Sequence, residues 1–242
     1  MHTRIQGRSV GIWGYGTTGK SFVTFCKEQQ AAAIHLFDNK SVSPEAREHL
    51  QQEGITIHEP HAFAQFVAQS DLILPSPGID LRQHHALHHR MRSELDFFQE
   101  RWKGRFVSIT GTIGKTTTTQ LLAQSLVHDG LHAPMGGNIG TPMLTLLDNH
   151  SAETLAILEL SSFQWEYSNQ ISPELAIITN IYPNHLDRHG TYDLYAEAKC
   201  KRGLVNIISA FVTLCALSSA CSPFGRRRVC CRHMRNMMIS FS

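Results

Sequence analysis

The sequence is short of charged residues, and the two signs of charge nearly cancel. Asp, Glu, Lys and Arg make up only 17% of its 242 residues, and the formal net charge is +2 at pH 7, although 15 histidines add polarity. Nucleic acids are bound through concentrated positive charge, so the charge balance gives no reason to expect a nucleic-acid partner.

A secretory signal and a cysteine framework are also missing. Residues 1–8 lead directly into an apolar run without the hydrophobic region of a signal peptide, which favours the cytoplasm. Cys26 and Cys200 stand alone in the sequence, and the other four cysteines crowd the last thirty residues, at Cys215, Cys221, Cys230 and Cys231. This spacing fits neither a disulfide framework nor a zinc site.

Hydrophobic residues, at 42%, are as frequent as in a globular protein, and the length allows one large domain or two ordinary ones. Short apolar runs alternate with helical patterns in the first part of the chain, and we predict strands over 9–14, 33–37, 54–57 and 71–74. This alternation predicts an α/β fold with a parallel sheet covered on both faces. We place the end of this first domain near Gly104.

The first strand runs into a G-x-G-x-x-G loop, Gly14 to Gly19, and the second strand ends at Asp38, 19 residues further on. A carboxylate near this spacing can read a ribose diol, so the pattern indicates a Rossmann-like nucleotide site. A structural glycine turn with a surface aspartate is the alternative. Ser76–Ile79 follows the carboxyl end of a strand, where open α/β sheets bind ligands, although alone it is more often a turn.

The second half of the chain is organised around FVSITGTIGKTTTT, residues 106–119. A buried strand, a glycine-bearing turn and leucines at helical spacing after Lys115 predict a phosphate-binding loop. Its backbone N–H groups would face phosphate oxygens, Lys115 the β- and γ-phosphates, and the Thr116 hydroxyl a Mg²⁺ ion. A tight turn with an incidental lysine is the alternative, because the usual first glycine is Ile109 here and the glycine stands at Gly111 instead.

Two stretches downstream place polar side chains at strand ends. Gly136–Gly140 is a glycine-rich loop with one amide side chain, and an apolar strand over 154–160 carries Glu159 near its end. A carboxylate at this place, downstream of a phosphate loop, is where a Mg²⁺ ligand is expected. A satisfied glutamate at the sheet edge is the alternative.

A further strand, predicted over 175–180, leads to His185 at the same edge, and Lys199 follows on a helix predicted over 192–202. His185 alone would more often be structural. After Lys199 the composition changes, since no residue from Ala198 to Ser242 is acidic. A transmembrane segment, a basic tail and translation in a wrong reading frame are the alternatives, and we favour the last because the tail continues no βα alternation.

These motifs, in this order, resemble those of the Mur ligases over about residues 5–202. The motifs that carry the resemblance are Thr110–Thr116, Gly137–Gly140, Leu158–Gln164, Asn184–Arg188 and Ala196–Lys199. Leu158–Gln164 and the N-terminal loop look most like the members that add D-glutamate. Folylpolyglutamate synthases share the T-G-T-x-G-K-T loop but lack the Rossmann-like N-terminal domain.

The resemblance implies a three-domain ligase of which this chain has only part. It assigns 1–104 to a domain that binds the UDP-muramoyl precursor, 105–203 to an incomplete ATP-binding central domain and 204–242 to an aberrant tail. It further implies a cytoplasmic enzyme, with a monomer favoured, that uses ATP and Mg²⁺ to join D-glutamate to the precursor through an acyl phosphate. We expect that the chain lacks the C-terminal domain of such a ligase and that it therefore turns over no substrate.

The resemblance also assigns roles to individual residues. Catalytic roles fall to Lys115, His185 and Lys199. Triphosphate contacts fall to Gly111, Thr112, Gly114, Lys115, Thr116 and Thr117. Metal binding falls to Thr116, Glu159, His185 and Lys199, the last as a CO₂ carbamate that offers oxygen to Mg²⁺. Precursor contacts fall to Thr17, Thr18, Asp38, Asn39, Lys40, Gly78, Ile79, Asn138 and His185.

Two other functions remain open at this point. A nicotinamide-dependent oxidoreductase would explain the N-terminal loop but leaves the phosphate loop and Glu159 without a role. A non-enzymatic remnant that binds a UDP-sugar would explain both motifs without turnover.

Overall fold

Two β-sheets with helices packed on them make up the part of the chain that the structure describes. The computed structural model describes residues 3–40, 42–168, 172–200 and 207–208. Within these ranges there are nine strands, and all of them pair in parallel. The parallel α/β fold predicted from the alternating patterns is therefore confirmed.

The first sheet is formed by four strands with a helix in each connection between them. The strands are β1 (Ser9–Trp13), β2 (Ala33–Phe37), β3 (Thr56–His58) and β4 (Leu72–Pro75), and the helices are α1 (Thr17–Glu28), α2 (Pro44–Gln52) and α3 (Phe63–Gln69). The order across the sheet is β3-β2-β1-β4, so the chain reverses its direction of travel between β1 and β4. Loops on the two sides of such a reversal leave a crevice at the carboxyl ends of the strands.

β3 starts later than the sequence predicted, because the end of α2 uses the residues before it. Gly54 has φ +78°, a left-handed conformation that glycine adopts without strain. The N–H of Ile55 then bonds the carbonyl of Leu50 at 2.9 Å, which closes the helix as in a Schellman motif.

Gly19, the last glycine of the G-x-G-x-x-G loop, lets α1 pack directly against the end of β1. A Cβ at this position would lie 2.0 Å from the carbonyl oxygen of Gly14. Glycine is therefore required here for close packing between helix and strand, which is the structural part of the dinucleotide-binding pattern.

One helix, α4 (Glu94–Arg101), contributes residues to the hydrophobic cores of both sheets. Phe97 packs in the core of the first sheet, where its ring centroid lies 5.4 Å from that of Phe25. Its neighbour Phe98 packs in the core of the second sheet, against Trp102 and Phe106. Adjacent helical residues are about 100° apart, so α4 buries one phenyl ring on each side.

The second sheet is built from the phosphate-loop half of the chain. Its strands are β5 (Arg105–Thr110), β6 (Met135–Gly137), β7 (Leu155–Glu159), β8 (Leu175–Ile178) and β9 (Ile207–Ile208), and its helices are α5 (Lys115–His128), α6 (Ser162–Tyr167), α7 (Leu186–His189) and α8 (Tyr192–Lys199). The order is β6-β7-β5-β8-β9, which places β5 at the centre. No helix in the described ranges has the length and apolar character that a membrane crossing needs.

The expectation that the tail, from about Gly203, continues no βα alternation and adds no strand to the sheet is wrong at one place. β9 pairs in parallel with β8, with Ile207 opposite Ala176 and Ile208 opposite Ile177. The segment that contains α8 supplies the crossover that parallel pairing requires. The predictions of an aberrant tail and of a frameshift otherwise concern residues outside the described ranges.

Glu94 is an ionisable group buried where α4 meets the second sheet. Only 3% of its surface is exposed, and its Oε1 accepts a hydrogen bond from the N–H of Leu144 at 3.3 Å. Burial raises the pKa of Glu94 to about 7, against the pull of the N–H groups of Leu144 and Met143. The folded chain therefore favours the protonated carboxyl more strongly than the unfolded chain does.

We predict that Glu94→Gln removes a pH-dependent part of the stability. The protonated carboxyl contributes fully below the unfolded pKa of about 4.5, and this contribution is lost as the pH rises to the folded pKa of about 7. Glutamine keeps the shape and the acceptor without ionising, so the variant should be more stable than the wild type at pH 8, by about 1–2 kcal/mol.

Urea unfolding at pH 5.5 and pH 8 measures the difference. Glu100→Gln makes the same change on the same helix and is the matched control, because Glu100 lies at the half-buried end of α4, where its carboxylate accepts hydrogen bonds from Thr3. A Glu94→Gln variant that is no more stable than the wild type at pH 8 would contradict this account of Glu94.

Candidate active site

The phosphate loop predicted from the sequence joins the central strand of the second sheet to α5. Gly114, the residue before α5, has φ +84°, and no side chain caps the first turn of the helix. The first turn also holds no acidic residue. The free N–H groups and the positive end of the helix dipole can therefore bind an anion.

Gly111 takes the place of the usual first glycine because the loop is fastened to the end of β8. It has φ +144°, and a Cβ there would lie 2.0 Å from Oγ1 of Thr179. That hydroxyl donates to the carbonyl of Ile113 at 2.8 Å. The side-chain amide of Asn180 accepts a hydrogen bond from the N–H of Ile113 at 3.0 Å and donates one to its carbonyl at 2.8 Å. Ile109 lies inside β5 and is fully buried, so a glycine is not needed at that position.

Glu159 lies at the carboxyl end of β7, beside β5, and is 1% exposed. Its Oε2 accepts a hydrogen bond from Oγ1 of Thr116 at 2.8 Å, and its Oε1 accepts one from Nδ2 of Asn138 at 2.9 Å. Two predicted metal ligands, Thr116 and Glu159, are thus in direct contact, and Asn138, a predicted precursor contact, joins them.

The donor set at Thr116 and Glu159 suits Mg²⁺, a hard cation that takes oxygen ligands. Within the described ranges, no three His, Cys, Asp or Glu side chains come together as a metal cluster. Mg²⁺ commonly takes only one or two protein carboxylates and completes its shell with water and substrate phosphates, so the residues present fit it.

Lys199 is buried behind the phosphate loop. It is 2% exposed, its Nζ donates to Oγ1 of Thr110 at 3.3 Å, and the ammonium lies 4.9 Å from the centroid of the Tyr195 ring. Burial, and then the nearby charge of Lys115, lower the pKa of Lys199 to about 7. A lysine with such a pKa is partly the neutral amine at neutral pH, which is the form that reacts with CO₂.

Lys115 and His185 are less tightly placed. The Nζ of Lys115 donates to the carbonyl of Thr112 at 3.0 Å, so the side chain folds back over its own loop. His185 follows β8, is exposed, and has φ +51°. Its ring lies 5.1 Å from that of Phe163, which stands four residues after Glu159. His185 is therefore at the predicted edge of the sheet, where its ring contacts Phe163.

A pocket of about 750 Å³ opens at the carboxyl ends of the first sheet and extends to the second. Seven of the predicted precursor contacts line it, namely Thr17, Thr18, Asp38, Lys40, Gly78, Ile79 and Asn138. Asn39 and His185 are not part of its lining. Gln164, the last residue of the motif Leu158–Gln164, also lines it, as do residues that the sequence did not single out, including Lys20 and Ser43.

Asp38 fastens the glycine loop to the end of β2. Its Oδ2 accepts a hydrogen bond from the N–H of Tyr15 at 2.6 Å, and its Oδ1 accepts one from the N–H of Lys40 at 2.8 Å. A carboxylate has about four acceptor positions, so this leaves acceptor capacity that faces the pocket. The place of Lys20 in the pocket could have been predicted from the sequence, because Lys20 directly follows the last glycine of the loop.

Family comparison matches the stretches of chain that form both sheets. Residues 8–96 match the model of the MurD-like N-terminal domain of Mur ligases, and residues 109–207 match the model of the Mur ligase middle domain. The second match runs through Ile207, the first residue of β9.

Curated relatives carry the same name across several bacteria. The chain is 36% identical over 202 residues to the UDP-N-acetylmuramoylalanine–D-glutamate ligase of Koribacter versatilis, which covers 81% of this chain and 44% of that protein. It is 34% identical over 206 residues to the ligase of the same name from Haemophilus ducreyi, over 83% of this chain and 46% of that protein. The chain thus spans less than half the length of these relatives.

A solved structure of a UDP-N-acetylmuramate:L-alanyl-gamma-D-glutamyl-meso-diaminopimelate ligase from Neisseria meningitides is also similar. It is 19% identical with a TM-score of 0.48, over 79% of this chain and 66% of that chain. The score is too low to add to the fold assignment, which stands on the strand order. The two domain matches and the curated relatives show that the chain belongs to the Mur ligase family, with a MurD-like N-terminal domain and a middle domain.

Proposed function

We propose that this chain is the precursor- and ATP-binding part of a ligase that joins D-glutamate to UDP-N-acetylmuramoyl-L-alanine, for peptidoglycan synthesis. One observation carries the proposal. Asn138 lines the pocket and donates to Glu159, which also accepts from Thr116 of the phosphate loop. A single carboxylate therefore forms the boundary between the pocket and the loop, where a precursor carboxylate can meet the γ-phosphate. The printed names of the curated relatives supply the substrates.

The reaction suits a site that works by positioning. The precursor carboxylate attacks the γ-phosphorus of ATP and ADP leaves, which gives an acyl phosphate. The D-glutamate amine then attacks the acyl carbon, loses a proton, and inorganic phosphate leaves. Phosphoryl transfer needs alignment and charge neutralisation more than covalent help from the protein.

The residues divide this work by their places in the fold. The N–H groups at the start of α5 and the Lys115 ammonium bind the triphosphate, while Thr112, Gly111, Gly114 and Thr117 shape or extend the same loop. When bound, Mg²⁺ neutralises charge on the transferring phosphate. Thr116 and Glu159 would hold it, with His185 and a carbamoylated Lys199 as the proposed ligands of a second ion.

The precursor would occupy the pocket of the first sheet. Lys20 and Lys40 give the pocket two cationic side chains, which suit a diphosphate. A cytoplasmic location and a monomeric state belong to this proposal and rest on the family. The expectation that this chain alone turns over no substrate depends on residues beyond Lys199, which lie almost entirely outside the described ranges, and it stays a prediction.

Ligand titration of the full chain tests the proposal. We expect saturable binding of UDP-N-acetylmuramoyl-L-alanine and of Mg·ATP by isothermal titration, because the pocket wall includes residues of the second sheet, which carries the phosphate loop. We expect no binding of NADH. Binding of NADH together with no binding of the precursor would favour an oxidoreductase and overturn the proposal.

Lys115→Ala should weaken ATP binding by about ten- to a hundred-fold, since a hydrogen bond to a charged group contributes about 1.5–3 kcal/mol. Precursor binding should stay within about two-fold, because Lys115 does not line the pocket. Thr118→Ala is the matched control on the same helix, because the Thr118 hydroxyl donates to the carbonyl of Gly114. Equal ATP affinity in Lys115→Ala and Thr118→Ala would count against the phosphate role of Lys115.

Lys199 should form a carbamate with CO₂, because its lowered pKa supplies the neutral amine at neutral pH. With ¹³C-labelled bicarbonate, we expect a carbamate signal in the NMR spectrum of the wild type that is absent from Lys199→Arg. Lys103→Arg, at an exposed lysine, should keep the signal. A spectrum in which Lys199→Arg retains the full carbamate signal would assign the modification elsewhere.

A further inference from the structure

Arg188 makes a contact between the two sheets that the proposed chemistry does not use. It lies on α7, three residues after His185, and only 10% of its side chain is exposed. Its guanidinium crosses 110 positions of sequence to the loop after β4, where Nη1 donates to the carbonyl of Gly78 at 3.2 Å and Nη2 to the carbonyl of Ile79 at 2.5 Å. Gly78 and Ile79 line the pocket, whereas Arg188 does not.

Aromatic residues of α6 hold the guanidinium in one orientation. Its central carbon lies 4.3 Å from the centroid of the Phe163 ring and 5.7 Å from that of Tyr167. The Tyr167 hydroxyl accepts hydrogen bonds from Nη2 of Arg188 and from the N–H of Leu81, both at 3.3 Å. A planar, multiply donating group that stacks on rings can do this, and a lysine cannot.

The pocket loop, residues 76–81, is thus held at one end by the first sheet and at the other end by the second. At its start, Oγ of Ser76 donates to the carbonyl of Gly14 within the first sheet, at 3.1 Å. At its end, Arg188 and Tyr167 hold Gly78 to Leu81 from the second sheet. The shape of this pocket wall therefore depends on a residue that lies outside the pocket.

One of these aromatic residues, Phe163, also contacts a proposed metal ligand. Phe163 contacts Arg188 on one hand and the ring of His185 on the other, at 5.1 Å. Arg188 and His185 are also joined through the N–H of Arg188, which bonds the carbonyl of His185 at 3.1 Å. The Phe163 ring therefore contacts both Arg188, which holds the pocket loop, and His185, the proposed metal ligand.

We infer that Arg188 is a positioning residue, which holds the pocket loop of residues 76–81 in its binding conformation from the second sheet. The inference rests on the proposed function, because it takes the UDP-muramoyl precursor as the ligand of the pocket. Loss of the guanidinium should free the carbonyls of Gly78 and Ile79 and loosen the wall. Precursor affinity should then fall although no contact with the precursor is removed.

The test is Arg188→Lys in the full chain, with Arg101→Lys as the matched control. Arg101 is also partly buried, donates to a carbonyl, that of Thr3, and lies over the rings of Phe25 and Phe97, but it contacts none of the pocket loop. We expect Arg188→Lys to weaken binding of UDP-N-acetylmuramoyl-L-alanine by about ten-fold, the loss of one charged hydrogen bond, with ATP affinity unchanged within about two-fold.

Hydrogen exchange separates positioning from general loss of stability. The N–H of Ile79, which bonds the carbonyl of Ser76, and the N–H of Leu81 should exchange faster in Arg188→Lys and not in Arg101→Lys. Tyr167→Phe removes only the hydroxyl, so it should change exchange at Leu81 and precursor affinity in the same direction by a smaller factor. It keeps the proposal testable if Arg188→Lys does not fold.

The outcomes are distinct. A wild type that binds neither the precursor nor ATP contradicts the proposed function. A wild type that binds the precursor, with a foldable Arg188→Lys or Tyr167→Phe of equal affinity, overturns the positioning role alone. Weaker binding without faster exchange in the loop, or with an equal loss in Arg101→Lys, overturns it as well.

Discussion

The buried carboxylate of Glu159 determines how the parts of this site stand relative to one another. It accepts one hydrogen bond from the phosphate loop, through Thr116, and one from the glycine-rich loop, through Asn138. Both donors are neutral, so the negative charge is solvated by hydrogen bonds and not paired with a cation by them. The buried Lys199 is close enough to interact with this carboxylate, and a divalent cation would suit the place as well, because hard cations take oxygen ligands.

The fold brings that carboxylate to the loop by strand order alone. β5 and β7 are neighbours and run in parallel, so the phosphate loop after β5 and the carboxylate at the end of β7 must emerge at the same edge. The pocket of the first sheet meets this edge through two contacts. Arg188 of α7 bonds the loop after β4, which lines the pocket, and α4 packs in the cores of both sheets. Two contacts, one polar and one apolar, therefore connect the sheet that holds the proposed precursor site to the sheet that holds the proposed nucleotide site.

Much of this arrangement was predictable, because local patterns dictate it. The strand-loop-helix around Lys115 and the G-x-G-x-x-G loop each specify their backbone through glycine and apolar spacing. Other features depend on distant partners and have no local signal. Gly111 lies against Thr179, β9 pairs with β8, and Arg188 donates to a carbonyl 110 positions away. The domain limits near Gly104 and residue 203, and the roles of the site residues, stay predictions.

The paired phenyl rings of α4 limit how the two sheets can move. Phe97 and Phe98 point to opposite cores, and each is fully buried. A rotation of the helix about its own axis would withdraw both rings at once, at a cost of about 1.5–3 kcal/mol for each phenyl exposed. Relative motion of the two sheets is therefore opposed by α4, and also by Met143 and Leu144, which are neighbours in the chain and likewise pack in different cores.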